Sequence, residues 1–107
     1  MKQSEHCAWM YILANQHLTT FYVGATTDLR SRLYEHFTKQ HPYSFTAKYN
    51  LNRLLYFEGF NSPEEAFARE KFIKGKSRAW KLDLICSTNP DMTDLSRTWI
   101  PEWVQRK

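Results

Sequence analysis

Glu70 is hard to explain as ordinary helix surface. Through residues 63–74, at 100° per residue, Ala66, Phe67, Ile73 and the stem of Lys74 share one side of a helix, and Glu70 falls in its middle. A carboxylate on such a stripe needs a cation or several donors, because burying an unpaired charge is very unfavourable. Two readings satisfy that need: a buried ion pair with an arginine, or a metal ligand or catalytic acid. Arg32 and His36 raise the same question. Four residues apart, they share a face at the edge of a Leu29/Leu33/Phe37 ladder. A guanidinium held there can grip a phosphate-like anion through two parallel bonds, while the histidine can carry a proton or simply pack. Tyr11 and Tyr22 complete the group. With residues 15–18 as a hairpin loop, Ala14 pairs with Thr19 and Tyr11 lies opposite Tyr22, so both phenols leave one sheet face.

These side chains must be positioned by a small set of elements. Residues 9–14 read as a strand and residues 19–24 as its antiparallel return. A helix opens near Thr27 or Asp28 and runs to about Phe37. Residues 39–50 (KQHPYSFTAKYN) are polar and aperiodic and read as an ordered loop. Residues 53–60 form a third strand, buried on both faces around Leu54, Leu55, Tyr56 and Phe57. Ser62-Pro63-Glu64-Glu65 combines a capping serine, a proline at the first helical position and a glutamate that completes a capping box. That helix reaches about Lys74 and stops at Gly75, and Ser77 caps another through roughly Cys86. Asn89-Pro90 ends the region, with a short helical turn expected around residues 91–95. The order ββαβαα predicts an α+β fold: a small antiparallel sheet flanked by helices.

The 107 residues make one domain, with an ordered core over about residues 9–95 and a tail over 96–107 that carries Trp99 and Trp103. Hydrophobic residues at 42% and aromatics at 16% exclude an intrinsically disordered chain. There is no apolar run of membrane-spanning length and no signal-peptide pattern at the N-terminus, so the expected location is the cytoplasm. Cys7 and Cys86 belong to no metal-ligand spacing and are expected to be reduced and structural. A net charge of +4 is mildly basic, but its distribution says more. Six basic residues lie between Arg69 and Lys81 against one acid, Glu70, which suits either a solvated face or a polyanion-binding one.

The residues also carry a recognisable pattern. Met10-Tyr11-Ile12, followed eleven residues later by Tyr22-Val23-Gly24, resembles the paired tyrosine motifs of the GIY-YIG nucleases. Arg32 stands eight residues after Gly24, as the family arginine does. Residues 69–85, then Asn89-Pro90 and Asp94-Leu95, resemble the small stand-alone bacterial branch related to the excision-repair nuclease domain. Four motifs in the right order are a specific signal. Two departures stand out: Trp9 replaces the first glycine, and Ala25 replaces a lysine of the excision-repair members, which removes a positive charge.

The resemblance implies a three-stranded antiparallel sheet with the site on the face bearing both tyrosines. It implies a DNA endonuclease, with roles in DNA repair or recombination, that uses one Mg2+ or Mn2+ held by Glu70. Arg32 would stabilise charge on the phosphate. Tyr22, in preference to Tyr11, would deprotonate the attacking water, and His36 would accept that proton or orient the phosphate. Lys74, Lys76, Arg78 and Lys81 are candidates for tracking the DNA backbone, and Asn89 matches a later asparagine near the site. Trp80 is expected in the core. A non-cleaving nucleic-acid-binding module and a protein-interaction domain remain open alternatives.

Overall fold

The structure, a computed structural model, describes residues 6–97, so Trp99 and Trp103 lie outside the described residues. Its elements follow the order β1 (Ala8–Ala14), β2 (Phe21–Thr26), α1 (Leu29–Phe37), α2 (Phe45–Lys48), β3 (Arg53–Phe60), α3 (Pro63–Lys74) and α4 (Arg78–Thr88). The sheet is antiparallel, with strand order β2-β1-β3. No helix among the described residues is long and apolar enough to cross a membrane.

The central strand supplies both cores by simple alternation. Met10, Ile12 and Ala14 face one way and pack with Ile73 of α3 and Ile85 of α4. Tyr11 and Leu13 face the other way, against Leu29 and Leu33 of α1 and Leu51. A bulge in β3 breaks the register between Ile12 and Leu13, so Leu55 and Tyr56 join the first core while Leu54 joins the second. Phe57, expected inside, is 37% exposed.

The hairpin register differs from the expected one by two residues. Ala14 pairs with Phe21, Leu13 with Tyr22, and Tyr11 with Gly24. The longer loop is stabilised by Asn15, whose side-chain oxygen accepts from the backbone N–H groups of Thr19 and Thr20 at 2.9 and 3.2 Å. An even shift preserves the face of every side chain, so Tyr11 and Tyr22 still project together, now diagonally.

The helix caps are mostly those the sequence announces. Asp28 accepts from Ser31 N, Ser62 from Glu65 N and Ser77 from Trp80 N. Glu65 reaches back to Asn61 N rather than to the cap residue itself. Two further expectations are corrected. The segment read as loop contains α2, one helical turn capped by Ser44. Residues 91–95 are not helical, because the Asp94 carboxylate binds Leu54 N and Ser96 N and Leu95 N donates to Leu54 O, pinning the chain along β3. Both cysteines are free and exposed, and Cys7 Sγ donates to Asn61 O at 2.9 Å. Trp80 packs at the rim of the α3/α4 core.

Candidate active site

On the α1 side of the sheet the two phenols and one imidazole form a compact trio. Ring centroids are 6.2 Å apart for Tyr11 and Tyr22, 5.9 Å for Tyr11 and His36, and 5.7 Å for Tyr22 and His36. Gly24 makes this possible. A Cβ there would lie 2.6 Å from the Tyr11 ring and hydroxyl and 2.8 Å from the Tyr22 ring. The glycine of the second motif is therefore the floor on which the first-motif tyrosine lies.

Tyr11 is fully buried, and its hydroxyl lies 3.0 Å from His36 Nε2. His36 Nδ1 in turn lies 2.8 Å from Thr46 Oγ1 of α2. Burial, with Arg32 and His41 adding to it, lowers the His36 pKa to about 4. The ring is therefore neutral near pH 7 and carries a single N–H, so one of its two contacts donates and the other accepts. The Tyr11 hydroxyl is pushed well above its ordinary range by burial and by Tyr22. Arg32 pulls it down and Glu70 pushes it up, the latter as the smallest influence. Both charged groups therefore act on the phenol.

Arg32 sits at the mouth of this trio with 41% of its side chain exposed, close enough to act on the Tyr11 hydroxyl and in a loose 3.6 Å contact with Glu35. It lines a cavity of about 290 Å3 together with Glu35, His36, His41, Ser44 and Thr46. Glu70 comes from the other layer. It lies on the stripe between fully buried Ala66 and Ile73, its side chain is 21% exposed, and Lys74 Nζ stands 2.7 Å away. Phe67, expected on that stripe, is 49% exposed. Glu70 does not line the Arg32 cavity. Its link to the trio is its effect on Tyr11.

Among the described residues no group of three or more His, Cys, Asp or Glu could enclose a metal ion. One half-buried carboxylate does not suit a closed zinc site, which wants four nitrogen or sulfur ligands. It does suit a hard cation that keeps most of its water and takes further oxygens from a phosphate.

The remaining candidates separate. Lys76 Nζ lies over the rings of Phe72 and Trp80, 4.4 and 5.6 Å from their centroids, and Lys81 is partly exposed on α4. Arg78 donates to Thr19 O and Leu18 O and stacks on Phe21, which ties α4 to the hairpin loop. Asn89 is 5% exposed and spends its amide on Leu55 O and Thr93 O and its oxygen on Thr93 N and Oγ1. Neither of the last two side chains is brought to the phenol trio.

The family model described as "GIY-YIG catalytic domain" matches residues 7–83, most of the chain. The chain belongs to the GIY-YIG family. Like other GIY-YIG domains, it is thereby a nuclease-type catalytic domain. Its relatives include a UPF0213 protein of Streptococcus pneumoniae, 38% identical over 96 residues that cover 86% of this chain and 90% of the relative. Another, from Streptococcus agalactiae, is 42% identical over 82 residues, 73% of this chain and 86% of that one. The solution structure of a UPF0213 protein from Bacillus halodurans matches with a TM-score of 0.53 and 26% identity, over 86% of this chain and 96% of that one.

Sequence reasoning missed several parts of this GIY-YIG site. Thr46 and Ser44, which back His36, sit in a segment read as plain loop. Ser44 caps α2 by accepting from Ala47 N, and a serine of N-cap type was the sole local hint of that turn. His41 and Glu35 at the cavity mouth carry no motif of their own.

Proposed function

We propose that this domain is a DNA endonuclease that hydrolyses phosphodiester bonds with one Mg2+ or Mn2+ held at Glu70, in DNA repair or recombination. The observation that carries the reading is the gathering of Tyr11, Tyr22, His36 and Arg32 on one sheet face, with the charge of Glu70 felt at Tyr11. A cation bound at Glu70 would supply a Lewis acid and would lower the pKa of a bound water.

The protein's own groups divide the remaining work. Tyr22 is half-buried and meets solvent, so it is the phenol that can touch an attacking water, and we assign it as the general base. A phenol must give up its own proton before it can take one from water. Tyr11 is buried and kept neutral, which suits a positioning partner of His36 rather than a base. His36 has both nitrogens engaged and a depressed pKa, so its role is to orient Tyr11 and α2 rather than to store a proton. Arg32, exposed at the cavity mouth, stabilises charge on the nonbridging phosphate oxygens. Lys74, Lys76 and Lys81 track the DNA backbone, while Arg78 and Asn89 act through the scaffold.

Single-turnover cleavage of labelled DNA with Mg2+ and with EDTA tests this. Tyr22→Phe is expected to slow the metal-dependent reaction by about 10²–10⁴-fold, and Arg32→Ala by about 10²–10³-fold. Wild-type binding that is salt-sensitive but yields no metal-dependent cleavage would instead identify a binding module.

A further inference from the structure

Next to the phenol trio lies an aromatic surface that the hydrolytic chemistry does not use. Tyr43 is 94% exposed, Phe45 48% and Tyr49 47%. Phe45 and Tyr49 are not isolated. Tyr22 contacts Phe45 at 6.2 Å between centroids, and Phe45 contacts Tyr49 at 4.8 Å, so a ladder of rings leads outward from the site. Along the chain these rings alternate with the cavity wall, since Ser44 and Thr46 line the cavity while Tyr43 and Phe45 turn to solvent. The segment is anchored from below by the Thr46–His36 hydrogen bond and by the Ser44 cap.

Rings this exposed leave much of their faces open to a partner, and their surroundings indicate which. Residues 39–50 contain Lys39, His41 and Lys48 and no acid, and Arg32 stands at the adjoining cavity mouth. Aromatic faces interleaved with cations, continuous with a phosphate-binding site, are the arrangement that holds single-stranded nucleic acid. Bases stack on the rings while the backbone follows the charge. A duplex keeps its bases stacked on one another and offers the rings nothing but phosphates.

We infer that Tyr43, Phe45 and Tyr49 form a stacking platform for unpaired bases. The preferred substrate is then DNA with a single-stranded segment passing over α2. This rests on the nuclease reading for its site but not for its test.

Binding is measured in EDTA by fluorescence anisotropy, using a labelled single strand, the same strand with abasic sites, and a blunt duplex. Wild type is expected to bind the single strand most tightly and to lose about ten-fold or more with the abasic strand. Tyr43→Ala/Tyr49→Ala, both surface changes, is expected to lose a similar factor on the single strand and about two-fold at most on the duplex and the abasic strand. Equal affinity for abasic and intact strands would overturn the inference. So would equal losses on single strand and duplex, or wild-type self-association by light scattering that the double variant abolishes. Base-dependent binding without cleavage of any DNA would leave the platform standing and remove the catalytic reading. Metal-dependent cleavage with base-independent binding would do the reverse.

Discussion

Replacing Gly24 by alanine adds one methyl group at the most crowded point of the site. That carbon would lie 2.6 Å from Cζ and the hydroxyl oxygen of Tyr11 and 2.8 Å from the Tyr22 ring, roughly 1 Å short of ordinary carbon contact. Tyr11 has nowhere to retreat, since it is fully buried among Leu13, Leu29 and Leu33 and its hydroxyl is held by His36. Overpacking of this kind costs about 1–3 kcal/mol, which lowers the melting temperature by roughly 5–20 °C in a domain of this size. A shift of about 1 Å in the phenols should also slow cleavage by about 10²-fold. Thermal unfolding by circular dichroism and a plasmid-nicking time course read the two effects separately. Gly75→Ala is the control. Its added carbon meets nothing nearer than 3.6 Å, and its φ of −80° suits any residue, so no loss is expected. A Gly24→Ala protein that melts and cuts like wild type would refute the packing argument.

Three further outcomes follow from the same geometry. His36 is depressed from 6.5 to about 4, so the unfolded chain takes up a proton in that window before the folded one does. Stability is therefore complete above about pH 6.5 and declines as pH falls towards 4, and His36→Gln should flatten that slope in urea titrations; an unchanged slope assigns it elsewhere. Glu58 accepts two bonds from Arg69 at 2.9 and 3.0 Å and one from Tyr56 at 2.5 Å, fastening α3 to β3. Although burial pushes the Glu58 carboxyl up, the bonds from Arg69 and Tyr56 hold it below its usual value. With both side chains about a quarter exposed, Glu58→Ala should destabilise by about 1–3 kcal/mol, and a change under a few tenths in denaturant melts would contradict the fastening role. Lys81→Ala should weaken duplex binding for all sequences alike and reduce the slope of log affinity against log salt by about 0.9; an unchanged slope means Lys81 touches no phosphate.

Much of the architecture was legible because it is written in local chemistry. Asp28, Ser62 and Ser77 each bond a backbone N–H three residues on, so caps and helix starts could be read directly. Alternation along β1 and the Ala66–Glu70–Ile73 spacing placed the tyrosines and the carboxylate on their faces. The hairpin register was not legible, because it depends on how many backbone donors Asn15 captures, which periodicity does not encode. Long-range contacts were hidden for the same reason. Arg78 finds carbonyls 59 and 60 residues away, and Asn89 one that is 34 away, so two residues that looked available for DNA are engaged within the fold. The single turn of α2 was missed because four residues leave no periodic trace. The trio itself needed both motifs together, since a lone strand tyrosine is ordinary.

The decisive measurement sets wild type beside Glu70→Ala, following supercoiled plasmid with and without Mg2+ and DNA affinity in EDTA on the same preparations. The account expects Mg2+-dependent nicking by wild type, a loss of at least about 10²-fold in the variant, and DNA affinity nearly unchanged. Nicking by Glu70→Ala at the wild-type rate, or wild-type nicking indifferent to EDTA, would contradict it.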